Sequence, residues 1–408
     1  MAMDAKPRQR TVRSWLQQLH LWVGLVLLLP LVVMGVTGAV LVYAHDLEHL
    51  LGQGEPAATT PGDWRPPSEL VAAARQAVGE PSRAVTMVRW PSEVGQPAAV
   101  RVGRPSVQVL LDPVSLQPLA TTGMTGWVRF FHDLHGHLFI AGGAGREIVG
   151  WLGVALLVLG GSGLFLWWPR PGRWKAAFTV RRGATGLRLH RELHGAIGIW
   201  SLVLFLLVNF TGVYLAFPQT VGGIVTAVLP GRDGRAAMLA RVEPLPGAVP
   251  IGLDEAVGLA RSRVPDARFL SAFLPSRPDQ ALRVALVRPG HAEGAPPITV
   301  VIDPLRRTVL GVLDPRAMTA GERFLAWQRA LHYGNGLGPL YRFLVFAVGV
   351  TIPLFAITGA CMWWIKRRNR RAARLAAQPG SGPRNTKNAP AQIRPKPTRW
   401  FSVMRSPR

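Results

Sequence analysis

Four long apolar runs interrupt an otherwise mixed chain of 408 residues, at Trp15–Tyr43, Ile148–Trp168, Ala196–Phe217 and Leu340–Ile365. Each is long enough to cross roughly 30 Å of hydrocarbon, which takes about 20 helical residues. In lipid the backbone must satisfy its own polar groups, so each run is expected to be a spanning helix. Between the runs the period changes. Apolar positions recur at helical spacing over Ser68–Val78 and Leu253–Val264. Short alternating stretches follow, at Ala84–Trp90, Ala99–Gly103 and Val107–Leu111 after the first, and at Arg268–Phe273, Ala281–Val287 and Ile298–Ile302 after the second. Both sets then turn on Asp-Pro, at Asp112-Pro113 and Asp303-Pro304, and continue as a short strand. The pattern predicts a small α+β domain after the first span and another after the third. Pro- and Gly-rich Gly52–Pro67 and Pro244–Pro250 read as linkers.

The two halves also share motifs. Leu19-His20-x-x-x-Gly24 matches Leu193-His194-x-x-x-Gly198, and seventeen residues after each histidine comes Thr37-Gly38 or Thr211-Gly212. Leu134-His135 and Leu331-His332 precede runs that close on Ser162-Gly163 and Trp167-Trp168, or on Thr358-Gly359 and Trp363-Trp364. A helix–domain–helix unit is therefore written twice. The expected fold class is an α-helical four-span membrane bundle of two parallel repeats, with two small α+β domains on one side.

Charge sets the orientation. The net charge is +25, yet only 17% of residues are charged and 49% are hydrophobic, which argues against a soluble nucleic-acid binder. Residues 1–14 hold four basic and one acidic residue, 169–194 seven and one, and 366–408 thirteen and none. Residues 44–145 and 218–339 are nearly neutral, with seven basic against nine acidic and fourteen against ten. Lys and Arg in short loops stay on the cytoplasmic side. Residues 1–14, 169–194 and the tail 366–408 are thus expected inside, and the domains at 44–131 and 218–328 outside. The segments between are the spans at 15–43 and 195–217 and the outer approaches plus spans at 132–168 and 329–365. The first run is too long for a signal-peptide core and is expected to remain as a helix. The tail is read as a disordered positive-inside anchor.

Candidate chemistry is narrow. The single cysteine, Cys361, excludes intramolecular disulfides, thiolate zinc sites, iron–sulfur clusters and c-type haem attachment. The chain carries neither a P-loop nor a Gly-x-Gly-x-x-Gly fingerprint, so it supplies no nucleotide site of its own. Histidine is left to handle electrons or metals.

These residues, from Gln18 to Trp364, resemble the PepSY-associated transmembrane proteins, whose marks are a Leu-His approach to a span, domains closing on a strand and Asp-Pro turn, and Trp-Trp exits. The resemblance implies an inner-membrane protein similar to iron-regulated membrane proteins and ferric-siderophore reductases, holding b-type haem, here two. It also implies a periplasmic acceptor such as a ferric chelate or siderophore. With no nucleotide site, the donor would be membrane quinol or a partner protein.

A b-type haem needs two imidazoles facing each other from different helices. His20 with His194, and His135 with His332, are the candidate ligand pairs, with His190 and His132 as alternates and His137 as a neighbour that could replace His135. Gly24 and Gly198, one turn from the first pair, leave room for a flat macrocycle. Arg146 and Arg342 could meet propionates. A single helix from His135 to Trp168 would be roughly 50 Å long. Either the second pair stands above the membrane, or Gly142–Gly145 and Gly334–Gly338 fold the chain back. His45 and His49 are read as a solvated helical face. Two other readings stand beside the reductase: a non-redox protein whose domains bind an envelope protease or ligand, and a transporter, for which Asn209 is one of the few polar residues well inside a span.

Overall fold

The computed structural model describes residues 11–79, 83–103, 107–122, 126–229, 231 and 241–376; most of the basic amino-terminal segment and the tail beyond 376 lie outside the described residues. The first apolar run forms two helices, α1 (Val12–Val26) and α2 (Leu28–Val42), bent by 68° at Leu27. One straight helix over Trp15–Tyr43 was expected, and Pro30 explains the difference. It has no N–H for the Val26 carbonyl, and its ring crowds that carbonyl. The third run, whose helix carries no proline from Gly186 to Ala216, stays whole, and the helix over Pro339–Ala376 stays whole around Pro353, so a proline permits the break without compelling it. Then come α3 (Ala44–Leu50), α4 (Pro67–Val78), strands β1 (Val85–Arg89), β2 (Ala98–Val102), β3 (Val107–Leu111) and β4 (Pro118–Thr122), α5 (Gly126–His137) and α6 (Ala144–Trp167). A short α7 (Trp174–Ala177) leads to α8 (Gly186–Ala216) and α9 (Pro218–Val228). The second half repeats the order with α10 (Leu253–Arg263), β5 (Arg268–Phe273), β6 (Leu282–Val287), β7 (Ile298–Asp303), β8 (Thr308–Leu313), α11 (Ala320–Tyr333) and α12 (Pro339–Ala376). Helices α6, α8 and α12 are long and apolar enough to cross a membrane, and α1 with α2 makes a fourth if the bent pair counts as one. Helix α12 continues past the apolar run into the basic segment.

Two separate α+β domains were expected, but the strands form one antiparallel sheet in the order β4-β3-β2-β1-β5-β6-β7-β8. The join is β1 against β5, with Met87 opposite Phe273 and Arg89 opposite Ser271. An edge strand exposes a row of unpaired amides, and joining the two edges removes both. Helices α4 and α10 cover one face: Leu70, Val71 and Ala74 with Ala256, Val257 and Ala260 pack on Val88, Val100, Phe269, Val284 and Val300 in a single apolar core. Helix α10 also supplies Asp254, whose carboxylate accepts from the Ser68 backbone N–H, fastening the start of α4.

Each Asp-Pro turn is held by its aspartate. Asp112 Oδ1 accepts the N–H groups of Val114 and Ser115, both at 3.0 Å, and Oδ2 accepts that of Thr60 at 3.2 Å. Asp303 Oδ1 likewise accepts from Leu305 at 2.8 Å and Arg306 at 3.0 Å. Burial alone would push the Asp112 carboxyl up, but the Ser115, Val114 and Thr60 donors outweigh it and hold it at about 2, against an ordinary 3.8.

In the bundle, α2 and α12 touch backbone to backbone. A Cβ on Gly35 would meet Gly349 O and Ile352 Cβ at 2.7 Å, and one on Gly349 would meet Ala39 Cβ at 2.9 Å. Small residues at the crossing allow this approach. Helix α6 comes as close to α8 at Gly153 and Gly160, against Val213 and Leu206.

Two outcomes follow. Because Asp112 titrates lower folded than unfolded, its contribution of about 2 kcal/mol is present above pH 4 and is lost as pH falls through 2. Thermal melts in detergent should show Asp112→Asn clearly less stable than wild type at pH 7, with the gap closing towards pH 2. Gly35→Ala should lower the melting temperature by several degrees, whereas Gly126→Ala, where a Cβ meets nothing within 4 Å, should not.

Candidate functional site

Helices α1 and α8 bring His20 and His194 together with ring centroids 6.1 Å apart and planes at 77°. At the other end of α8, α5 and α11 bring His135 and His332 to 6.2 Å with planes at 41°. The second pair reaches the bundle because the chain folds back. Helix α5 stops at His137, turns through Leu138–Gly143 and returns as α6, while α11 ends on Gly334, which is left-handed at φ 76°. Of the two geometries open from the sequence, the fold-back is the one found. His194 and Thr211, which touches His332, are seventeen residues apart on one straight helix, so the pairs are separated by roughly 25 Å along its axis.

Every ring is half-buried and tied at Nδ1 to a hydroxyl on a neighbouring helix. His20 Nδ1 lies 2.9 Å from Ser162 Oγ, His194 Nδ1 2.8 Å from Thr358 Oγ1, His135 Nδ1 2.9 Å from Thr37 Oγ1 and His332 Nδ1 3.0 Å from Thr211 Oγ1. The hydroxyls spend their own protons on helix carbonyls: Ser162 on Leu159 O, Thr358 on Leu354 O, Thr37 on Val33 O and Thr211 on Val208 O. Such a hydroxyl can only accept from the ring, so Nδ1 carries the proton and Nε2 keeps a free lone pair. His332 adds a second constraint, since Nδ1 also donates to Val208 O at 3.0 Å. At Gly38 and Gly212 the absent side chain makes room for the ring, whereas at Gly163 and Gly359 a Cβ would make only an ordinary contact. A Cβ on Gly38 or Gly212 would stand 3.0 Å from the Cε1 of His135 or His332, and on Gly163 or Gly359 it would stand 3.5 or 3.9 Å from that of His20 or His194.

The remaining candidates divide. A Cβ on Gly24 or Gly198 would make an ordinary contact with Leu159 at 4.0 Å or Phe355 at 3.9 Å. His190 is not part of the pair; its Nδ1 is buried without a hydrogen-bond partner. His132 joins Asp133 and His137 rather than His332. Arg146 is exposed in the first turn of α6. Arg342 is engaged: it donates to Val42 O at 2.9 and 3.0 Å, lies over Tyr43 and pairs with Asp46. His45 and His49 are exposed and stack edge to face. Asn209 donates to Phe205 O of its own helix at 2.7 Å. Sequence reasoning missed the hydroxyl partners Thr37, Ser162, Thr211 and Thr358, although the recurring Thr-Gly or Ser-Gly pair carried the signal.

The architecture is that of a helical membrane protein with an attached antiparallel sheet, in which two imidazole pairs could each hold a metal or a planar metal macrocycle. The chain belongs to the PepSY-associated TM family, whose model matches residues 17–366. It is also similar to the uncharacterized protein PA4219 of Pseudomonas aeruginosa, at 30% identity over 270 residues. That match covers 60% of this chain and 64% of the relative, so the chain spans less than two thirds of the relative's length.

Thr37→Val and Thr358→Val keep shape but remove the ring's acceptor. Each should cost about 1 kcal/mol, roughly 2 °C in melting temperature. Thr351→Val, at a hydroxyl that donates within its own helix to Val348 O, should change little.

Proposed function

We propose that this chain is a bacterial inner-membrane b-haem oxidoreductase that carries electrons across the membrane to a periplasmic acceptor, a ferric siderophore or other ferric chelate. On this reading the bent pair α1–α2, α6, α8 and α12 are four spans arranged as two parallel repeats. Both termini are cytoplasmic, and the sheet halves are periplasmic PepSY-like units. The charge pattern supports that orientation, because the basic residues gather in 1–14, 169–194 and 366–408 while the segments between the spans on the other side are nearly neutral.

The observation that carries the reading is the geometry of the histidine pairs. The two rings of each pair come from different helices and lie close enough that both imidazoles would hold one iron. The separations here are 6.1 and 6.2 Å. The donor set also fits, because neutral imidazole with Nδ1–H fixed by a second partner is the ligating tautomer. His20 and His194 would hold one haem and His135 and His332 the other.

Bound haem would supply reversible one-electron exchange. The chain's own work is to hold and orient. Ser162, Thr358, Thr37 and Thr211 fix the ring tautomers, Gly24 and Gly198 would leave room for a flat macrocycle one turn from the first pair, and Phe355 packs at 5.1 Å against His194. One electron reduces one ferric ion to ferrous, which hard oxygen-donor chelators bind less tightly. A quinol donor would give two electrons and two protons on becoming quinone, and a partner protein is the other donor compatible with a chain lacking a nucleotide site.

A pyridine haemochrome assay on detergent-purified protein should count two haems per chain, falling to one in His20→Ala, His194→Ala or His332→Ala. Folded protein without a Soret band, from cells supplied with haem, would remove the redox reading and leave the sheet halves as binding modules for an envelope protein.

A further inference from the structure

Among the described residues, one group of three metal-binding side chains converges in addition to the histidine pairs: His132, Asp133 and His137, near the end of α5. Their ligand atoms all lie within 4.8 Å of one another, with His132 Nδ1 at 3.3 Å and His137 Nε2 at 3.8 Å from Asp133 Oδ1. We infer that these three residues form a binding site for a divalent first-row transition-metal ion.

Four observations support it. The donor set, two imidazoles and one carboxylate, suits a borderline divalent ion and leaves coordination positions open. The space for further ligands is present, in a depression of about 270 Å³ lined by Asp133, His137, Phe139, Ile140, Ala141 and Gly142. The position of His137 is fixed, because the backbone of Gly145 packs so closely that a Cβ there would stand 2.4 Å from His137 O and 2.8 Å from His137 Cβ. The turn behind it is strained: Leu138 and Phe139 are consecutive non-glycine residues at φ 51° and 59°. Backbone in this region is unfavourable for residues other than glycine and persists where the surroundings enforce it.

The second half of the chain serves as an internal control. Aligning His135 with His332 places Arg329, Ala330 and Gly334 where the first half has His132, Asp133 and His137. Its turn after α11 uses Gly334, Gly336 and Gly338 at positive φ in place of strained residues. The fold-back therefore needs neither the three side chains nor the strain, and both occur together in one half only. The cluster lies within one helical turn of His135 and on the end of the bundle that leads to the sheet. There it would receive a ferrous ion leaving reduction; that role rests on the proposed function, whereas metal binding itself does not.

The test is a cobalt(II) titration of the tag-free full chain in detergent, followed by the visible d–d bands, with the Soret band read on the same samples. Wild type should bind about one equivalent. His132→Ala/His137→Ala should abolish it, and Asp133→Asn, which keeps the side-chain shape, should weaken it roughly tenfold or more. His45→Ala/His49→Ala should bind as wild type. Absence of stoichiometric binding by wild type, or unchanged binding in both cluster variants, overturns the site. Cobalt binding without a Soret band would keep the site and remove the haem reading; a Soret band without cobalt binding would do the reverse.

Discussion

The hydrogen bond from each imidazole Nδ1 to a serine or threonine on a neighbouring helix is the constraint on which the bundle interior depends. Its direction follows from the hydroxyl, which has already donated its proton to a carbonyl of its own helix. Four buried polar residues, Thr37, Ser162, Thr211 and Thr358, are thereby satisfied in an apolar interior where an unpartnered hydroxyl is costly. The same bonds decide which ring nitrogen is left to act. Structure and chemistry are fixed in one step, because satisfying Nδ1 frees Nε2.

Other features serve this arrangement. The first run bends between His20 on α1 and Thr37 on α2, which meets His135 of α5, whereas α8 presents the equivalent His194 and Thr211 without a break. Close approach at Gly35 and Gly349 draws α12 against α2. Arg342, from the start of α12, then caps the carbonyl end of α2 at Val42. The sheet joins the halves a second time through β1 and β5, far along the chain from the four paired histidines.

Much of this was legible from the residues. The apolar runs, the helix–strand order, the Asp-Pro turns and the four repeated histidines depend on local pattern, and Val107–Leu111 and Arg268–Phe273 coincide with observed strands. What was not legible depends on contacts between distant segments. The β1–β5 join pairs residues nearly two hundred positions apart, and alternation cannot say which edge meets which. The fold-back of α5 was one of two options, because length arithmetic on His135 to Trp168 fits both. Arg342 read as a possible propionate partner, but its contacts with Val42 and Asp46 come from a helix nearly three hundred residues earlier. Pro30 was a further local signal present and unused, since a proline inside an apolar run can break its helix.

On the proposed reading, His20 with His194 and His135 with His332 would each hold one haem between neutral imidazoles whose ring orientations differ. Low-temperature electron paramagnetic resonance of the oxidised protein tests it most directly, since axial ring angle controls the anisotropy of low-spin ferric haem. The account predicts two low-spin ferric signals: a highly anisotropic one from the pair at 77° and a more rhombic one from the pair at 41°. A high-spin signal in place of either, or no haem signal from folded protein grown with haem, would contradict it.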